Sequence, residues 1–200
     1  MTTNNIKTFG FKAFLVTQFC GALNDNIFKL SVSFLILAEL SNWKYGNTLY
    51  YIAQAVFFLP FVILSPYAGF LADRYSKSTI FIVTKIAELI LMAVALFFLV
   101  QGYIIPLVVL IFCMGLQSTV FGPCKYGILP EILEPKFLAK GNGYVELWTY
   151  TAILLGTIIA PQLITFGISS RLYIGLTVVA IAAFGMVLSF RVPKTKVSGI

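Results

Sequence analysis

The chain has 200 residues, 60% of them hydrophobic and only 10% charged, and a mean hydropathy of +0.95; this lies outside soluble composition and reads as an integral membrane protein. Nineteen Phe, ten Tyr and two Trp argue against a disordered or fibrous chain. With no His, His-based acid/base catalysis, Ser-His-Asp triads and His-ligated metal sites are excluded within this chain.

At about 20 residues per crossing, the apolar runs predict an all-α membrane protein of six transmembrane helices, at residues 12–40, 48–71, 79–100, 104–123, 142–165 and 171–191. Residues 1–11 then form a cytoplasmic tail, 12–191 the bundle, and 192–200 the start of a basic cytoplasmic linker. The first apolar run is span-length and carries charges in its middle, so it is read as a retained helix and not as a cleaved signal. The connections near Ser41–Asn47, Gln101–Tyr103 and Phe166–Ser170 are short, which forces neighbouring helices to pack antiparallel.

A net charge of +7 could mark a nucleic-acid partner, so the placement of the cations decides. Lys7, Lys12, Arg74, Lys77, Lys125, Lys136, Lys140, Arg191, Lys194 and Lys196 fall on one side of the six crossings, and only Lys44 and Arg171 on the other. That bias makes both termini cytoplasmic and explains the basic pI as topology, so no nucleic acid is expected. Cys20, Cys113 and Cys124 show neither a disulfide framework nor metal-ligand spacing.

The first helix contains Gln18-Phe-Cys-Gly-Ala-Leu-Asn-Asp-Asn-Ile-Phe-Lys29, which puts polar groups where lipid should be. Asp25 lies roughly 20 Å beyond Lys12, near the bilayer midplane. A carboxylate there costs about 2.5–3.5 kcal/mol on insertion unless it faces protein or water. Gln18, Ala22, Asp25 and Lys29 fall on one narrow stripe, with Asn24 and Asn26 beside it, and Asp25 and Lys29 are spaced to pair. Two readings follow: hydrogen-bonded cross-links between helices, or a polar site at mid-depth of a translocation pathway.

In the third helix Lys85 and Glu88 share a face, although Lys85 could also snorkel to the cytoplasmic surface. Gln54, Gln117 and Gln162 are uncharged and read first as packing glue. Glu146, near the predicted start of the fifth helix, is either a dipole-stabilising or gate residue, or a substrate contact.

Between the second and third helices, Gly69-Phe-Leu-Ala-Asp73-Arg74-Tyr-Ser-Lys77 resembles the cytoplasmic loop signature of the major facilitator superfamily. Ser76 and Ser78 replace a Gly and a basic residue of that pattern. Gly69 would permit close helix approach, and Asp73 and Arg74 would make inter-helix charge contacts.

The first-helix block, Lys85-Ile-Ala-Glu88, Gly115-Leu-Gln-Ser-Thr-Val-Phe-Gly-Pro-Cys-Lys-Tyr-Gly-Ile-Leu-Pro130 and Ala152-Ile-Leu-Leu-Gly156-Thr together resemble the lysophospholipid transporter family within that superfamily. They are especially similar to the transporter domain fused ahead of acyl-acyl-carrier-protein synthetase and phospholipid O-acyltransferase modules. The resemblance implies the N-terminal six-helix half of a twelve-helix fold, in the bacterial inner membrane. Its second half would lie in the same full-length chain or in a second protomer, and a partial transporter is the favoured expectation.

The resemblance further implies a secondary transporter, not an enzyme, that moves a lysophospholipid by alternating access for reacylation by a partner or further modules. The substrate-binding set would be Gln18, Asn24, Asp25, Asn26, Lys29, Lys85 and Glu88, with Asp25 taking a headgroup amine and Lys29 or Lys85 the phosphate. Gly122 and Pro123 are expected to interrupt the fourth helix, leaving Lys125 and Tyr126 at the cytoplasmic mouth. Lys125, Glu146, Asp73 and Arg74 would form a charge latch. No cofactor is implied, and without a Gly-x-x-x-x-Gly-Lys-Ser/Thr loop no ATP-driven pump. Alternatives are a superfamily transporter of another solute or drug, and a non-transporting scaffold for an acyltransferase.

Overall fold

The computed structural model describes residues 6–40 and 42–195, so Ser41, Lys196 and the end of the 192–200 segment, on which parts of the topology reading rest, lie outside it. The described residues form eight α-helices and no strand: α1 Phe9–Leu40, α2 Gly46–Val56, α3 Leu59–Arg74, α4 Lys77–Gln101, α5 Ile104–Gly127, α6 Leu129–Ile132, α7 Leu138–Ile164 and α8 Ser170–Ser189. Grouped by length and apolarity, they make six helical segments able to cross a membrane, as expected.

The bundle is built around α1, which packs on α7, α8, α5 and α2, while α4 packs on α8 and α5, and α3 on α5. Being enclosed on several sides, α1 has buried residues on every face from Phe11 to Ile36 and no single apolar stripe. An apolar cluster built from Ile27, Phe28, Val32, Met92, Ile111 and Val178 forms the middle and one end. A second, with Phe11, Phe14, Phe81, Phe121 and Val192, closes the other end. The second and fifth spans are the least enclosed.

Three boundaries correct the sequence reading. The second span is two helices broken at Phe57 and Phe58, because Pro60 brings no N–H for the carbonyl of Val56 and crowds that turn. Gly115 accommodates the break: a Cβ there would overlap the Phe57 carbonyl oxygen. By contrast, Gly122 and Pro123 do not interrupt the fourth span, and α5 runs on to Gly127. A single proline withdraws one hydrogen bond, here from the Thr119 carbonyl, and a membrane helix tolerates that. The fifth span begins at Leu138, so Glu146 lies two turns inside α7 and beyond the reach of the helix N-terminus.

The stretch after α8 folds back on the end carrying most cations. Val192 is buried among the Phe11, Phe14 and Phe81 rings. Thr195 Oγ1 accepts from the backbone N–H of Ser78 at 3.0 Å, its own N–H donates to Ser78 Oγ at 3.1 Å, and Ser76 Oγ donates to its carbonyl at 3.0 Å. Ser76, the residue before α4, makes no side-chain cap; Thr195 supplies it from outside. The two serines that depart from the loop signature are thus the ones that hold this segment.

Candidate functional site

A cavity of about 470 Å³ opens beside α1, bounded by the α2–α3 break, α4, α5 and α7. Its polar lining includes Gln18, Asp25, Asn26 and Lys29 from α1, Lys85 from α4, and Gln117, Ser118 and Lys125 from α5. Phe57, Phe58, Phe61 and Phe121 supply aromatic walls. The stripe read from helical spacing therefore does face one space. Gly122 and Tyr126 also line it, whereas Asn24, Glu88, Pro123 and Glu146 do not, and Gly69, Asp73 and Arg74 lie away from it.

Asp25 and Lys29 do not form the ion pair their spacing allows. Asp25 turns to α5, where Ser118 Oγ donates to its Oδ2 at 2.6 Å, and its Oδ1 is buried with no hydrogen-bond partner. Lys29 reaches the other way, into the α2–α3 break, placing Nζ 5.0 Å from the centroid of Phe57 and 4.9 Å from that of Phe58. Among the described residues, no carboxylate lies within ion-pair distance of Lys29.

Lys85 does not snorkel. Its Nζ meets Glu88 Oε2 at 2.5 Å, with the two side chains 2% and 1% exposed. Glu88 Oε1 accepts from Asn24 Nδ2 at 2.9 Å, and Lys85 Nζ lies 4.8 Å from the Phe121 centroid. Gly21 makes the room, since a Cβ there would strike the Lys85 ammonium. These contacts join α1 to α4, so Asn24, Lys85 and Glu88 behave as cross-links of the kind expected inside a membrane bundle.

At the basic end, Lys125 Nζ donates to Thr149 Oγ1 at 2.6 Å. Thr149 in turn lies 3.0 Å from Gln18 Oε1 and 2.6 Å from the Val145 carbonyl, either of which can take its proton. Tyr126 donates its hydroxyl to Glu146. The expected four-residue charge latch is therefore not formed in this conformation. Lys125 and Glu146 each take a hydroxyl partner across the α5–α7 contact, while Asp73 and Arg74 are exposed at the end of α3. Arg74 lies 5.8 Å from the Phe70 centroid.

Gly69 also differs from expectation, since nothing lies within 4 Å of where its Cβ would be. The buried small residues of that stretch are Ala68 and Ala72. Gln54 acts as glue, donating to Ser33 Oγ at 2.7 Å. Ser118 and Thr149 were not singled out by sequence reasoning. Neither residue has a charge or a recurring spacing to mark it.

Residues 14–199 match the sequence profile of the Major Facilitator Superfamily. The chain belongs to that superfamily. It is similar to the lysophospholipid transporter LplT of Photorhabdus laumondii, with 32% identity over 187 residues that make up 94% of this chain and 44% of that protein. The proteins of the same name from Cronobacter sakazakii and Escherichia coli are each 31% identical, over 82% and 78% of this chain and 38% and 37% of their own lengths. The chain thus spans less than half the length of these relatives. As a multi-pass superfamily member it places its polar cavity against its two least enclosed spans.

Proposed function

We propose that this chain forms one half of a secondary transporter that moves a lysophospholipid across the bacterial inner membrane by alternating access, toward the cytoplasmic leaflet for reacylation. The observation that carries this reading is the Asp25 carboxylate, held only by the neutral Ser118 hydroxyl, on the wall of a cavity also lined by Lys29 and Lys125. A phospholipid headgroup has the matching chemistry: an amine or hydroxyl donor for the Asp25 carboxylate and a phosphate for the ammonium groups. Lys85, neutralised by Glu88, is a weaker phosphate ligand than the sequence suggests, and Lys125 takes its place. Similarity to proteins named lysophospholipid transporter supports the substrate class.

In this reading a second six-helix half, in the same full-length chain or in a second protomer, covers the cavity and the exposed second and fifth spans. The acyl chain stays against apolar helix faces or membrane lipid. Both termini are cytoplasmic, where an acyltransferase or acyl-carrier-protein synthetase would receive the lipid. Access alternates by rocking of the two halves about the cavity.

The test is uptake of labelled lysophosphatidylethanolamine by proteoliposomes containing the full-length protein. Wild type should transport, and Asp25→Asn should slow transport at least about tenfold, because a charge-assisted hydrogen bond is lost. Transport by Asp25→Asn at the wild-type rate would remove Asp25 from the site, and absence of transport by wild type would overturn the reading.

A further inference from the structure

The Lys29 ammonium, the break in the second span and the ring pair at that break form one arrangement that the proposed function leaves unused. Phe57 and Phe58 meet edge to face, with centroids 5.3 Å apart and planes at 88°. Phe61 lies 5.7 Å from Phe57, and all three rings line the cavity. Both residues keep right-handed helical backbone angles at the break, and both rings face Lys29 of α1. A group of aromatic faces at this spacing attracts an organic ammonium through the ring quadrupoles. The side chain now seated there is itself an alkylammonium, at 5.0 and 4.9 Å from two centroids.

Resting on the reading of the cavity as a headgroup site, we propose that Phe57 and Phe58 are the seat for the substrate's own ammonium group, and that Lys29 is its resting occupant. When a lipid enters, its phosphate draws Lys29 Nζ off the rings, and the headgroup ammonium takes the vacated position. The exchange preserves charge: a cation leaves the rings, another replaces it, and the displaced one is neutralised by the phosphate. Asp25 lies one turn before Lys29 on the same face, so its carboxylate is placed to accept an N–H from an ammonium in this region. A headgroup without a cation would draw Lys29 away and leave the rings empty, so the seat sets selectivity among headgroups.

Phe58 is the residue to change, because at 53% exposure it is dispensable to packing, whereas Phe57 at 8% is part of the core. Equilibrium binding is measured on the full-length protein in nanodiscs for two lysophospholipids with the same acyl chain, one with ethanolamine and one with glycerol on the phosphate. Phe58→Leu should weaken the ethanolamine lipid about three- to tenfold and leave the glycerol lipid unchanged, while Phe58→Tyr should bind both like wild type. Equal weakening of both lipids by Phe58→Leu, or no change in either, would overturn the seat.

A second arm is independent of any lipid: tetramethylammonium titrated into Phe58→Trp, read by tryptophan emission against a neutral isosteric alcohol. It should saturate, and adding Lys29→Met should tighten it about three- to tenfold by emptying the seat. If neither lipid binds wild type, the proposed function falls, and this arm alone decides the seat: no saturable response, or a response blind to Lys29, overturns it.

Discussion

The buried Lys85–Glu88 pair allows a quantitative test of whether α4 contributes a cross-link or a ligand. Both side chains are almost fully buried and 2.5 Å apart, so Lys85→Met leaves a carboxylate in a low-dielectric interior. Asn24 at 2.9 Å remains as its hydrogen-bond donor. Removing one member of such a pair costs about 3–5 kcal/mol, and Glu88→Leu should cost a similar amount, since Lys85 would keep only the Phe121 ring. The unfolding entropy scales with length, so a protein about twice as long as this chain shifts by roughly 1–2 °C per kcal/mol, and each single variant should melt about 3–10 °C below wild type.

The double variant Lys85→Met/Glu88→Leu leaves no unpaired charge. Its loss should fall within about 2 kcal/mol of zero, chiefly from the orphaned amide of Asn24. Thermal unfolding of the full-length protein in detergent, analysed as a double-mutant cycle, measures this. Additive losses of about 6–10 kcal/mol would refute the argument, because they would show that the two side chains are held by separate partners.

Two further outcomes follow from the packing. Gly115→Ala forces a methyl group onto the Phe57 carbonyl and should cost about 1–3 kcal/mol in thermal unfolding; Gly69→Ala, with open space around it, should stay within about 0.5 kcal/mol and serves as the control. Thr195→Val removes the acceptor that caps Ser78 N–H. It should cost about 1 kcal/mol and raise hydrogen exchange at the Ser78 amide without altering exchange in the middle of α4.

What the sequence made legible was whatever depends on local spacing. Six crossings follow from apolar runs, and the stripe from Gln18 to Lys29 follows from 3.6 residues per turn, since both are properties of one helix. What it concealed depends on where a neighbouring helix puts its side chains. Asp25 and Lys29 are spaced to pair, yet Ser118 on α5 and the ring pair at Phe57 and Phe58 draw them apart. Lys85 could have snorkelled, but Gly21 on α1 opens a pocket for it. Similarly, Gly122-Pro123 reads as a break and Phe57-Phe58 does not. The actual break is set by Pro60 together with Gly115, a residue more than fifty positions away.

The charge arrangement also supports the proposed site over simple adhesion in the polar first helix. If its polar groups served only as glue, each charged group would end on a partner, as Lys85 and Glu88 do, because a buried unpaired charge adds cost and no adhesion. Asp25 and Lys29 do not fit that pattern: the carboxylate has only the neutral Ser118 hydroxyl, and the ammonium rests on ring faces with no carboxylate in ion-pair range among the described residues. Lys125 has only a neutral hydroxyl to bond. Once Lys85 is cancelled by Glu88, the cavity wall holds two ammonium groups against one half-satisfied carboxylate. In a low-dielectric surrounding, such an excess favours an anion more strongly than it would in water. A group that brings a phosphate together with a hydrogen-bond donor satisfies Lys29, Lys125 and Asp25 at once, which helix-to-helix adhesion leaves unmet.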